Sequence, residues 1–337
     1  MTELLIHKFD YPVTVWDLNE NEWHHNPSIA KDKQGKIWVS TRHHEEETIV
    51  RYTNEHPYTH PPSRLMVGVL DENTLEVSGV KRIFPEEGSP RYLVEKEIED
   101  CRIFFREDGL HGIGVAINEY DFPNETRVYQ IEILIDYEKG TYKLLKDWGY
   151  SVAGHMEKNW SPATEYTDKF DFIYSASEKL KNDHLFGEKY LGKTHGGSQL
   201  LPYKDGYIRF AHRCIPIEGV THRWYVSIAQ LVDKDGYVTH DSQLFDFCTG
   251  WRPNIQESVE FISGAVWSGD DIILSYGLRD ETCAFVKINP SVFEWGPFEN
   301  SDTEYEYKFA DGVVPTDEKY WIGEKFPGSF LLKEGDR

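Results

Sequence analysis

The sequence predicts an all-β chain folded as a five-bladed β-propeller with four-stranded antiparallel blades and an axial pocket. Three observations predict it. Short runs of alternating apolar and polar residues fill the 337 positions, separated by Gly, Asp and Asn turns. Long runs with a 3.6-residue period are missing. A strand–turn–strand unit recurs five times, about every 59 residues, and a second hairpin follows most copies, which is the pattern of propeller blades.

The units run in order along the chain. The first begins with NPSIAKDKQGKIWVSTR (Asn26 to Arg42) and continues with RLMVGVLDENTLEVSGVKRI (Arg64 to Ile83). Between its hairpins lies the loop-like insertion YTNEHPYTHPPSR (Tyr52 to Arg64). The second pairs EDCRIFFREDGLHGIGVAI (Glu99 to Ile117) with a hairpin over Arg127 to Asp147. The third starts at EKNWSPATEYTDKFDFIYSAS (Glu157 to Ser177). The fourth pairs GGSQLLPYKDGYIRFAHRC (Gly196 to Cys214) with a hairpin over Trp224 to Phe245. The fifth, SGAVWSGDDIILSYGLRD (Ser263 to Asp280), is followed by the shorter CAFVKINPSVFEW. No Pro/Gly/Ser-rich linker interrupts the series, so residues 1–337 read as one domain.

Composition narrows the function classes. With 58 acidic against 36 basic residues the net charge is −22, which argues against wrapping nucleic acid phosphates. Aromatic residues reach 14%. Their rings fill β cores, and they also stack on the apolar faces of sugars. Cys101, Cys214, Cys248 and Cys283 are widely spaced with no C-x-x-C pair, arguing against a disulfide framework or structural zinc. The N-terminus lacks a signal-peptide pattern and no apolar run is long enough to span a bilayer, so a soluble, cytoplasmic protein is expected.

Propeller geometry turns scattered segments into a site. The first strand of each blade lines the central channel, so its first residues crowd one axial mouth. That brings together Asn26 with Arg42; Glu99 with Asp100 and Arg102; Glu157 with Lys158 and Asn159; His195 with Ser198 and His212; and Tyr276 with Asp280. Carboxylates beside cations suit glycosyl transfer, which needs a proton donor for the leaving oxygen and a base or electrostatic partner for the acceptor. Strand alternation admits only one of Glu99 and Asp100 to the channel, and likewise one of Glu157 and Lys158 unless the backbone bulges. The doublets His24-His25 and His43-His44 offer one ring per strand face, which argues against zinc, and no metal is assigned. Gly-rich phosphate loops and G-x-S-x-G elbows are missing.

At these residues the sequence resembles the five-bladed enzymes of glycoside hydrolase family 130, the β-mannoside phosphorylases, β-1,2-mannosidases and related mannosyltransferase-phosphorylases. The resemblance spans about Asn26 to Asp280 and is concentrated in NPSI…STR, IEDCR, MEKNWSP, GGSQLL…GYIRFAHR and SGAVW…LSYGLRD. It implies that Asp100 is the general acid. It also implies substrate contacts from Asn26, Arg42, Arg102, Lys158, Asn159, His212, Tyr276 and Asp280. The signature Pro of the family is Cys101 here, and a full phosphate-binding Arg set after Asp100 is not matched. The neighbouring family 43 propellers would need an Asp where Asn26 stands.

The expected function is cleavage or transfer of a mannoside-like glycosyl group, by a glycosidase or glycoside phosphorylase. Asp100 is the catalytic acid and Glu157 a supporting carboxylate, while Arg42, Lys158 and His212 hold an anionic group. No cofactor is expected beyond inorganic phosphate as a candidate co-substrate, and the partner is a carbohydrate or sugar phosphate. The alternatives are a glycosyltransferase with an activated sugar donor, and a propeller that only binds glycans. Sugar identity, linkage and oligomeric state stay open.

Overall fold

The computed structural model describes residues 2–16, 22–45, 62–118, 127–152, 160–163, 172–173, 194–216, 223–247, 251–252, 257–258, 260–278, 282–298 and 305–309. It is all-β and propeller-like, with curled sheets built largely from meanders. The first unit is the antiparallel meander Glu22–Lys31, Ile37–Glu45, Arg64–Leu70 and Val77–Pro85. Its first turn closes because the Asp32 carboxylate accepts from the Gln34 and Lys36 N–H groups, while Gly35 takes a φ of 86°. The second unit is the meander Glu99–Arg106, Gly109–Asn118, Arg127–Asp136 and Thr141–Val152. The last strands of these two units pair in parallel at Phe84–Thr141 and Pro85–Tyr142, fusing them into one eight-stranded sheet.

The later units are closed by the N-terminus. In the fifth unit Glu260–Ser268, Asp271–Leu278 and Thr282–Ile288 form three strands, and Val13–Trp16 adds the fourth along Thr282–Ile288. The fourth unit runs Leu201–Tyr203, Gly206–Pro216, Arg223–Val232 and Val238–Ser242. At its margin Thr2–Lys8 lies parallel to both Leu244–Asp246 and Tyr305–Phe309. Of the third unit the described residues include the pair Ser161–Pro162 and Phe172–Ile173. The insertion read over Tyr52 to Arg64 falls mostly outside the described residues. Among the described residues one α-helix departs from the all-strand expectation. The helix Arg91–Lys96 follows Pro90 and buries Tyr92 and Leu93, a tertiary stabilisation that a six-residue segment without amphipathic repeats does not announce.

Apolar packing joins each unit to the next. Ala30, Leu65 and Val67 pack with Ile103, Ile131 and Ile133 of the second unit. Phe104 and Ile113 meet Trp160 and Phe172 of the third. Ala163 and Ile173 pack with Leu200, Val232 and Val238 of the fourth. Ile208, Phe210 and Phe245 pack with Ile262, Leu274 and Tyr276 of the fifth. Val266, Ile273 and Phe285 return to Ile29, Val39 and Leu70 of the first. These sheets therefore bury both faces, which is why even polar residues of their central strands, such as Ser40, Gln130 and Arg209, are buried. Among the described residues no helix is long and apolar enough to cross a membrane.

Arg102 ties the inner strands together. It is 1% exposed, and its Nη1 donates to both Gly197 O and Ser263 O, each at 2.6 Å. Its guanidinium carbon lies 5.0 Å from the centre of the Phe261 ring. Burial lowers its pKa to about 10, against the opposing charge of Asp100, so the group stays cationic at neutral pH.

Two outcomes test this architecture. Arg102→Ala removes two charge-assisted hydrogen bonds to buried carbonyls and should cost about 3 kcal/mol of stability in urea unfolding. Deleting residues 2–16 strips the Thr282–Ile288 edge of its partner and should lower the thermal midpoint and raise aggregation in light scattering.

Candidate active site

The first strands of the units share a local irregularity. Register breaks between His25 and Ser28 in the first unit, between Glu99 and Arg102 in the second, and between Ile262 and Gly264 in the fifth. Asn26 (φ 53°) and Asp100 (φ 50°) occupy left-handed backbone at the first two, and Gly196 (φ 46°) begins the fourth unit in the same conformation. Asn, Asp and Gly are the residues that enter this region most readily. The carbonyl that follows each irregularity is held by a neighbouring unit. Ser275 Oγ donates to Pro27 O at 2.8 Å, Ser40 Oγ to Cys101 O at 2.7 Å and Ser161 Oγ to Gly197 O at 2.8 Å. Ser263 Oγ also donates to Pro27 O.

These irregularities aim side chains across the boundary between units. Asn26 Nδ2 donates to Asp100 Oδ1 at 2.8 Å. Arg42 lies one strand away, and its fork serves three partners. Nη2 donates to Glu99 Oε1 at 2.7 Å, Nε donates to Ser63 Oγ at 2.8 Å, and Nη1 stands 3.7 Å from Asp100 Oδ1. Glu99 is 3% exposed, and Asn26 and Asp100 are each 7% exposed. The expectation that alternation admits only one of Glu99 and Asp100 is corrected here. Both reach Arg42, because the bulge turns Asp100 out of the regular pleat.

Gly277 explains part of the Tyr-Gly pair in the fifth unit. A Cβ there would lie 2.5 Å from Asn26 Oδ1 and 3.0 Å from Asn26 N. Tyr276 instead turns into the core, fully buried with its ring stacked on Phe247 at 5.3 Å. Arg102 also leaves the acid cluster for the interior carbonyls described above. His212 is buried between Tyr225 and Phe261, with ring centres 5.2 and 4.7 Å away. Phe261 thus contacts both His212 and Arg102. The sequence-based constellation therefore divides. Asn26, Arg42, Glu99 and Asp100 meet, whereas Arg102, His212 and Tyr276 pack into the interior. Glu157, Lys158, Asn159 and Asp280 lie outside the described residues. Ser63 was not singled out from sequence, and an isolated Ser after two prolines carries no signal for such a role.

The four histidines of the first hairpin form two ring pairs. His24 meets His43 at 4.6 Å between centres, and His25 stacks on His44 at 5.2 Å. Each doublet gives one ring to each sheet face, as strand geometry requires. Among the described residues no group of three or more His, Cys, Asp or Glu is placed to hold a metal ion. His44 Nδ1–H donates to Pro62 O at 3.0 Å. Burial, followed by the charges of Arg42 and His25, pushes its pKa well below the usual imidazole range, against Glu99 and the Pro62 carbonyl.

Comparison with known proteins bears on the fold. No family model matches the sequence, and no curated protein sequence matches it. Solved structures do match. A β-1,2-mannobiose phosphorylase from Listeria innocua superposes with a TM-score of 0.53 at 13% identity, covering 83% of this chain and 97% of that one. A structure reported under the heading that the family 130 mannoside phosphorylases contain glycoside hydrolases targeting β-1,2 mannosidic linkages in Candida mannan gives 0.53 at 15% identity, covering 82% and 86%. A glycosyl hydrolase from Bacteroides ovatus gives 0.52 at 15% identity, covering 84% and 88%. The chain shares the fold of the family 130 propellers. At such identities the likeness speaks for backbone architecture, and the site rests on its own geometry.

Two substitutions probe the cluster. Gly277→Ala should drive Asn26 off Asp100 and cost about 2 kcal/mol in chemical denaturation, the scale of overpacking a tight interior. His44 is held neutral when folded, but in the unfolded chain it takes up a proton below about pH 6.5. Its contribution is thus fully present above that pH and lost as pH falls below it. The denaturation midpoint should drop between pH 7.5 and pH 5, and His44→Gln should flatten that drop.

Proposed function

We propose that this chain is a carbohydrate-active enzyme that cleaves a mannoside-like glycosidic bond on a single five-bladed propeller, with Asp100 as general acid. One observation carries the reading. A carboxylate in left-handed backbone is anchored by Asn26 and faced by Arg42 at the boundary between the first two units. Several solved structures with this fold are described as mannoside phosphorylases or glycoside hydrolases. Five clusters that each join consecutive units, the last returning to the first, support the count of five blades.

The chemistry follows from the hydrogen bonds. Asn26 Nδ2–H donates to Asp100 Oδ1, and Arg42 Nη1 faces the same oxygen. An oxygen so occupied acts as acceptor, and the acid form of the carboxyl passes its proton to the departing sugar oxygen. Arg42 itself is spent on Glu99 and Ser63. This favours a role in placing the acid over the anion-binding role read from sequence. Lys158 and Glu157 remain the proposed anion contact and supporting carboxylate, and inorganic phosphate remains the candidate co-substrate. Water or phosphate then serves as the acceptor.

Wild type and Asp100→Asn should be compared on β-mannobioses and aryl β-mannosides, with and without inorganic phosphate. Asn keeps the left-handed backbone and loses the proton, so turnover of mannobiose should fall at least about 100-fold. Turnover that needs phosphate identifies a phosphorylase, and turnover in water a hydrolase. Wild-type rates in Asp100→Asn would remove the acid from Asp100. Consumption of a nucleotide sugar without glycoside cleavage would favour the transferase.

A further inference from the structure

We propose that Glu99 is a positioning residue that sets the pH at which Asp100 carries its proton, by competing with it for Arg42. This rests on the reading of Asp100 as the acid. The geometry is asymmetric. Arg42 Nη2 is 2.7 Å from Glu99, while Nη1 is 3.7 Å from Asp100, too long for a hydrogen bond. Ser63 Oγ accepts from Nε and holds the guanidinium plane in this orientation. The stronger, charge-assisted contact thus goes to the carboxylate with no proton to deliver. Asp100, which must hold a proton until the leaving oxygen takes it, stands 3.7 Å from the same guanidinium.

The surrounding charges define the sign. The Asp100 anion is favoured by the Asn26 amide, by Arg42 and by the field of Arg102. It is opposed by the adjacent Glu99 anion, since both carboxylates converge on one guanidinium. Cys101 follows Asp100 with its thiol pushed up to about 12 by burial, so it adds no charge at neutral pH. His44 and His25 stack beside Arg42, and His44 is neutral for the reasons given above. Glu99→Gln keeps the side-chain shape and removes the opposing charge, and it frees Arg42 to close on Asp100. Both effects favour the Asp100 anion, so Asp100 loses its proton at lower pH.

Two readouts test this. In the pH profile of kcat/KM on β-mannobiose, the alkaline limb of Glu99→Gln should move down by about one pH unit or more. A carboxylate that merely braces the strand would lower kcat and leave the limb in place. The second readout needs no substrate. The side-chain carboxyl carbon of Asp100, assigned by its loss in Asp100→Asn and followed by NMR, should titrate at lower pH in Glu99→Gln than in wild type. Glu99→Asp keeps the charge but falls short of Arg42, so it should shift the midpoint the same way by less, and it serves if the Gln variant does not fold. An unmoved or raised midpoint in these variants overturns the proposal. Full activity of Asp100→Asn would instead overturn the acid assignment while leaving the titration result intact.

Discussion

The left-handed turn at the start of the inner strands is the constraint on which the rest depends. At Asn26 and Asp100 the backbone enters a region that most side chains avoid, at a cost of roughly 1 kcal/mol even for tolerant residues. Serines of neighbouring units offset that cost by holding the carbonyls that follow, Pro27 O and Cys101 O. The same turn that breaks the ladder sends Asn26 across to Asp100. Closure between units and the meeting of Asn26 with Asp100 are thus two results of one backbone irregularity. Shifting either residue back into the pleat would unmake both.

Charge in the interior is divided between two arginines with different tasks. Arg102 is satisfied in part by carbonyl dipoles of the fourth and fifth units, so it helps fasten the ring. Arg42 spans two carboxylates and a serine at the boundary of the first two units. A lysine could not do the work of Arg42, because its single ammonium lacks the planar fork that addresses several acceptors at fixed angles. The net charge of −22 says little about these sites. It is a bulk property, while each guanidinium responds to a few atoms within 4 Å.

Packing between units explains why the repeat survives with so little exact sequence repetition. Each sheet must present apolar side chains on both faces, but the partner differs at every boundary. The contact is Ile and Val against Ile between the first two units, and largely aromatic between the second and third. Volume is matched pair by pair, so pattern is retained while identity drifts. This also accounts for a clear structural likeness to sugar-active propellers at 13–15% identity.

By itself the sequence determined the strand-rich pattern, the recurring two-hairpin unit and the short list of polar residues at the starts of the inner strands. Those are local properties, written in alternation and turn chemistry within a few residues of each other. Tertiary structure alone decided which of the polar residues meet. Strand alternation separated Glu99 from Asp100, and the bulge overrode it. Tyr276 and Arg102 looked equivalent to Asn26 and Arg42 on paper, yet they turn inward to Phe247 and to the carbonyls of Gly197 and Ser263. The helix Arg91–Lys96 and the contact of Ser63 with Arg42 were equally illegible. The reason is common to all of these. Each depends on partners distant in sequence, from 21 residues for Arg42 with Ser63 to 161 for Arg102 with Ser263, brought near only when the sheets pack.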